Sequence, residues 1–177
     1  MIRMVFSGYG GQGVLTLGEI VATIAMKKGK HVTWMPSYGP EMRGGTANCA
    51  VIVSDKLIGS PLVLSNIDIL VAMNHASVFK FMPKMKPGGL ALVNSSIVTE
   101  KIANTGAEIL EIDATNIAGK VGDIRVANMV MLAGFLKKTQ LFTMDEITAV
   151  LEQRFAGSRS NELVPLNIKA IEAGMAQ

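Results

Sequence analysis

Gly8, Gly10, Gly11 and Gly13 follow a short apolar run at residues 2–7 and precede an apolar pattern with helical spacing. Gly8, Gly10 and Gly13 fit G-x-G-x-x-G, with Gln12 inside the same turn. A strand that empties through a tight turn into a helix offers backbone N–H groups and the positive end of a helix dipole to an anion. The chemistry such a stretch performs is therefore the binding of phosphate or carboxylate. Glycine is required there because the chain must turn sharply, let a phosphate come close and pack helix against strand.

A second polar stretch runs Ser37-Tyr38-Gly39-Pro40-Glu41-Met42-Arg43-Gly44-Gly45-Thr46-Ala47-Asn48-Cys49. The planar fork of Arg43 matches a phosphate or carboxylate. An ion pair of Arg43 with Glu41 or with a partner chain is the equal alternative. Cys49 falls inside a strand-like run and reads as a buried, inert thiol, since a nucleophile needs an activating neighbour. His75 follows an apolar strand and reads as a capping or hydrogen-bonding residue, and His31 as structural. No Ser-His-Asp arrangement, no paired carboxylates and no metal-ligand cluster is visible, so no catalytic residue is assigned. A nicotinamide enzyme places an acid about 20 residues past its glycine turn to hold the ribose. That region here is Trp34-Met35-Pro36-Ser37-Tyr38, and Glu41 comes too late. The Gly-Lys-Ser/Thr ending of a nucleotide-hydrolysing P-loop is missing as well.

The elements that position these residues alternate. Strands are expected at 2–7, 31–35, 46–54, 67–73, 90–94 and 108–113, and helices at 13–28, 76–82, 114–138 (broken near Gly122), 144–155 and 163–176. Residues 36–45 are expected to be loop, 86–89 a turn, and Pro165 to sit in a first helical turn. Thr143 and Glu146 have capping-box spacing. No helix fits between the second and third strands, so those two are expected to be antiparallel neighbours. The pattern predicts one domain over 1–177, an α/β three-layer Rossmann-like sandwich whose mostly parallel sheet has helices on both faces. Ligands of such sheets bind beyond the carboxyl ends of the strands. The 8–13 turn, the 36–45 loop and the segment Asn74-His75-Ala76 should therefore meet at one edge.

The chain has 177 residues, 49% hydrophobic and 18% charged, with net charge +3. So apolar a composition fits a buried sheet, or a subunit that hides surface against partners. Lys27, Lys28 and Lys30 fall at a helix end, where cations oppose the dipole, and no basic-aromatic interleaving points to nucleic acid. One cysteine, Cys49, excludes an internal disulfide and a cysteine-held cluster. With a strand beginning at residue 2 and no apolar run approaching ~18 residues, the reading is soluble and cytoplasmic, with no leader and no membrane contact.

Taken together, Gly8-Tyr-Gly-Gly-Gln-Gly13 and Ser37-Tyr-Gly-Pro-Glu-Met-Arg-Gly-Gly-Thr-Ala-Asn-Cys49 resemble the gamma subunit of 2-oxoacid:ferredoxin (acceptor) oxidoreductases, most closely the 2-oxoglutarate and ketoisovalerate types. The resemblance covers nearly the whole chain. It implies a complex that oxidatively decarboxylates a 2-oxoacid, uses coenzyme A and passes electrons to ferredoxin. Thiamine diphosphate would lie between alpha and beta subunits, and iron–sulfur clusters in beta or a ferredoxin-like delta subunit. The gamma chain would bind none of these alone and would help hold coenzyme A. Gly8, Gly10, Gly11, Gln12 and Gly13 match the first motif; Ser37, Tyr38, Gly39, Glu41, Arg43, Gly44 and Gly45 match the second. The implied site residues are Gly8, Gly10, Gly11, Gln12, Gly13, Ser37, Tyr38, Glu41, Arg43 and Gly44, facing coenzyme A or neighbouring subunits. The isolated chain would be able to form a homodimer through surface meant for those partners. Two other readings stay open: a free-standing dinucleotide-binding oxidoreductase, and a purely structural interface subunit.

Overall fold

The computed structural model describes residues 1–39, 45–103, 106–157 and 160–177. One sheet contains β1 (Ile2–Tyr9), β2 (His31–Tyr38), β3 (Thr46–Ser54), β4 (Ile67–Ala72), β5 (Met85–Asn94) and β6 (Glu108–Ile112), in the order β2-β3-β1-β4-β5-β6. β1, β4, β5 and β6 are parallel, while β3 is antiparallel to both β1 and β2. The expected antiparallel pairing of β2 with β3 is present, and the sheet is mixed, with β3 alone reversed. The place of β3 between β1 and β2 follows from its composition. Its 46–54 segment is apolar enough to be covered on both sides, whereas β2 has no fully buried residue and takes the edge.

That edge position also explains why β2 continues past residue 35 to Tyr38 rather than ending in a loop. Pro36 pairs opposite Cys49, which an edge strand tolerates because one side of its backbone has no ladder to donate to. β5 similarly takes in residues 86–89. The expected turn there is an irregularity in the β4–β5 ladder between Ile67 and Ile69, with Gly88 at φ 72°.

The helices are α1 (Val14–Lys27), α2 (His75–Phe81), α3 (Ala114–Val121), α4 (Ala127–Thr139), α5 (Met144–Arg154) and α6 (Ser160–Met175). They lie on both faces, unevenly. Met4, Phe6, Cys49, Val51, Val71 and Leu92 face a core built with α1 and α3–α6. Val5, Leu70, Ala72, Ala91 and Val93 face a smaller core under α2, through Val78 and Phe81. α4 is buried from Ala127 to Leu136 because it lies between the sheet and α6. Gly174 of α6 makes that approach possible, since a Cβ there would stand 2.7 Å from the Cβ of Ala133. The break at Gly122 is found, at φ 126°. Pro165 is inside α6 rather than in its first turn, because the helix begins at Ser160. Lys27 and Lys28 close α1 as expected, and Lys28 reaches Glu146 at 2.9 Å.

Thr143 caps α5 in a complete capping box with Glu146. The Lys28 ammonium bonded to Glu146, together with the Thr143 amide, holds that carboxyl below the usual range. Thr143→Ala should lower the unfolding free energy by about 0.5–2 kcal/mol, read from a urea midpoint shift at unchanged slope.

Candidate functional site

β1 ends at Tyr9 and the chain turns through Gly11, at φ 97°, and Gly13, at φ 71°. Gly13 is the N-cap of α1. It has no side chain to cap the helix, and the first turn carries no acidic residue. The first amides of α1 therefore have neither a side-chain cap nor a carboxylate of their own to satisfy them, as an anion site requires. Within the turn the Gly10 amide donates to Gly45 O at 2.9 Å and the Gln12 amide to Tyr9 O at 3.1 Å. Among the described residues, the Gly11 and Gly13 amides make no such bond.

The turn forms one wall of a cavity of about 660 Å³. Val14, Leu15 and Thr16 of α1 continue that wall, and Tyr38, Gly39, Gly45, Thr46 and Ala47 close the opposite side. Because β3 is antiparallel to β1, its first residues stand at the carboxyl end of β1, and the two sequence motifs meet there. The Gly10–Gly45 bond joins them, and the Gly39 amide, donating to Thr46 O at 2.7 Å, ties the two ends of the second motif together.

Gly10, Gly11, Gly13 and Tyr38 thus come together as expected, and Tyr38 is exposed at the rim. Gly8 lies beneath the turn, where a Cβ would meet Gln12 Oε1 at 2.7 Å and Val14 at 2.9 Å. Ser37 pairs with Asn48 and so shares the face of Ser7, on the α2 side, away from the cavity wall. Gln12 turns inward: its Oε1 accepts from the Tyr9 amide at 2.6 Å and from Asn74 Nδ2 at 3.1 Å. Glu41, Arg43 and Gly44 lie outside the described residues. Asn74, at the end of β4, joins the same edge as expected and caps α2 by accepting from the Ser77 amide. His75 approaches Glu100 at 3.2 Å and lines a separate apolar groove with Phe79 and Met82.

Asn128 was not singled out by sequence reasoning. It is 6% exposed on α4, and its Nδ2 donates to Gly13 O at 3.3 Å. The signal was an amide in an otherwise apolar helix. Across the turn from the first cavity lies a smaller one of about 180 Å³, lined by Gly11, Gln12, Met73, Thr115 and Arg125. Among the described residues no group of three or more His, Cys, Asp and Glu side chains could hold a metal ion.

Cys49 is fully buried on β3 beneath α1, its thiol donating to Val14 O at 3.6 Å. Burial pushes its pKa from the ordinary 9.0 up to about 12, against a smaller opposing effect of the Trp34 indole. The folded state therefore favours the neutral thiol. Its contribution to stability is complete below pH 9 and is lost as the pH rises toward about 12. Urea unfolding from pH 8.5 upward should show stability falling with pH in the wild type and falling less in Cys49→Ala. Equal slopes would rule the thiol out as the cause.

A glycine turn opening on an uncapped helix, at the carboxyl edge of a mostly parallel sheet, defines a Rossmann-like crevice. It lacks the dinucleotide arrangement. Of the two strands beside β1, the one on the β2 side is the reversed β3, and neither it nor β2 places an acid where a ribose would need one. The sequence model of the pyruvate ferredoxin/flavodoxin oxidoreductase family matches residues 3–177, and the chain belongs to that family. It is 36% identical over 173 residues to the ketoisovalerate oxidoreductase subunit VorA of Methanothermobacter thermautotrophicus, covering 98% of this chain and 35% of that one. The chain spans about a third of the length of the first curated relatives it matches. Among solved structures, the gamma subunit of a keto/oxoacid ferredoxin oxidoreductase from Geobacter sulfurreducens matches with TM-score 0.82 and 31% identity, over 99% of this chain and 97% of that one. The 2-oxoglutarate:ferredoxin oxidoreductase of Magnetococcus marinus, solved with 2-oxoglutarate, coenzyme A and succinyl-CoA, shares the fold at TM-score 0.86 and 22% identity, over 99% of this chain and 30% of that one. No helix among the described residues is long and apolar enough to cross a membrane.

Proposed function

We propose that this chain is the gamma-type subunit of a 2-oxoacid:ferredoxin oxidoreductase and that its glycine-turn cavity takes the phosphate-bearing end of coenzyme A. The observation that carries the reading is the uncapped N-terminus of α1, with the Gly11 and Gly13 amides beside it, opening on a cavity of about 660 Å³. Backbone N–H groups and the helix dipole would hold the phosphates, and Tyr38 and Thr16 stand on the walls that would flank them. Arg43 adds a cation to the same loop in sequence. In the reaction of such a complex, a 2-oxoacid loses carbon dioxide, its acyl group passes to the coenzyme A thiol, and the electrons released go to ferredoxin.

Thiamine diphosphate and the iron–sulfur clusters belong, on this reading, to alpha and beta partners and, in complexes that have one, a delta partner. This chain's donors do not fit a cluster: its single cysteine is buried in β3 with its thiol turned to Val14 O. What its own residues do is bind and orient the acyl acceptor and complete the assembly. Activity without the partners is not expected.

The test is reconstitution with alpha- and beta-type chains. Ferredoxin reduction that depends on both 2-oxoacid and coenzyme A should require this chain. Coenzyme A at millimolar concentration should also raise the melting temperature of the isolated chain, because a ligand of the native state stabilises it. The same activity with and without the chain, together with no thermal shift, would overturn the proposal.

A further inference from the structure

The glycine turn is held from one side by a hydrogen-bonded chain that no ligand role accounts for. Gln12 Oε1 accepts from the Tyr9 amide and from Asn74 Nδ2, while Gln12 Nε2 donates to Met73 O at 3.3 Å. Asn74 Oδ1 in turn accepts from the Ser77 amide and from Ser77 Oγ, each at 2.9 Å. Ser7 Oγ donates to Ser77 Oγ at 2.8 Å. Ser7, Asn74 and Ser77 are all almost fully buried. The amide of Gln12 is thus committed to the protein on both its oxygen and its nitrogen. Its neighbours Gly11 and Gly13 have backbone conformations that few residues adopt, and nothing in a glycine side chain fixes them.

We propose that Gln12 and Asn74 are a pair of positioning residues. They clasp the turn to the β4–α2 junction and so set the direction of the Gly11 and Gly13 amides toward the bound anion. Gln12 is then no ligand contact, although it belongs to the glycine motif. A turn with two left-handed glycines has many accessible shapes when free. The clasp selects one of them before the ligand arrives, which spares the ligand the ordering cost. This inference rests on the reading of the cavity as the coenzyme A site.

Two substitutions separate the clasp from the fold. Asn74→Ser keeps an N-cap for α2, since serine caps as well as asparagine, but is too short to reach Gln12. Gln12→Met keeps the side-chain length and removes all three bonds. In the reconstituted enzyme each should raise the KM for coenzyme A between about ten- and a hundredfold with kcat nearly unchanged, the size expected of a misplaced binding group. The double variant should cost little more than Gln12→Met alone, because the one bond that Asn74→Ser breaks is already lost there. Melting curves of the isolated variants check that the fold survives. An unchanged KM in both single variants, or effects that add fully in the double one, would overturn the clasp. Thr16→Trp, which fills the cavity, tells the two failures apart. If it raises the KM while the clasp variants do not, only the clasp falls. If it too leaves the KM unchanged, the assignment of the cavity falls with it.

Discussion

Phe135→Ala is expected to lower the unfolding free energy by about 3–5 kcal/mol, a large fraction of the stability of a chain this size. Phe135 has no solvent exposure and sits in α4, itself buried for most of its length. Its ring lies 6.2 Å from that of Phe6 on β1 and 6.4 Å from that of Phe142, ahead of α5. Removing it leaves a hole bounded by a sheet strand, a helix and a connecting segment, which cannot all move inward together. The cost of a large-to-small change depends on that ability to collapse. The measurement is urea unfolding, with the midpoint falling and the slope unchanged. A loss below about 1 kcal/mol would mean that the three aromatic rings are not packed as described.

Gly13→Ala is expected to cost about 2–5 kcal/mol, from two separable sources. At φ 71° an alanine pays the left-handed penalty of about 1–2 kcal/mol. Its Cβ would also stand 2.3 Å from Asn128 Nδ2, so Asn128 must leave its bond to Gly13 O. That strands a nearly buried amide, at about 1–3 kcal/mol. The sources separate by experiment. Adding Asn128→Ala to Gly13→Ala should recover the steric part but not the backbone part. Gly11→Ala, at φ 97° with nothing within 4 Å of the added Cβ, should show the backbone part alone. Equal losses in Gly11→Ala and Gly13→Ala would remove Asn128 from the account. On the proposed coenzyme A reading of the cavity, affinity for that ligand in the assembled enzyme should fall with either glycine change, because both reset the turn that presents the amides.

Much of this arrangement is legible in the residues themselves. The apolar runs of β1, β4 and β5 read as strands because both of their faces are covered and no polar residue is needed to mark a solvent side. Thr143 and Glu146 read as a capping box because capping depends on residues three apart and nothing else. Gly122 reads as a helix break for the same local reason. Where sequence reasoning stopped short, the deciding interaction was remote. Pro36 looked like the end of β2, and only the edge position of that strand lets it stay in the ladder. Residues 86–89 looked like a turn, and only pairing of the flanking segments with β4 draws them into β5. Gln12 belongs to the glycine motif in sequence, and that its amide bonds Asn74, 62 positions away, is visible only in the fold.

By itself the sequence determined the class of fold, the strand and helix alternation, the glycine turn with its helix, and the absence of a cluster-holding cysteine set. Each of these depends on local period, local backbone conformation or simple count. Only the tertiary structure decided that β3, already expected antiparallel to β2, inserts between β2 and β1 and so brings Tyr38 and Thr46 against the glycine turn. It also decided which of the motif residues line the cavity and which support it. The reason is physical: a turn's conformation is set by neighbours in sequence, but the direction in which a side chain points is set by whatever packs against it, and here that is supplied by β4, α2 and α4, far along the chain.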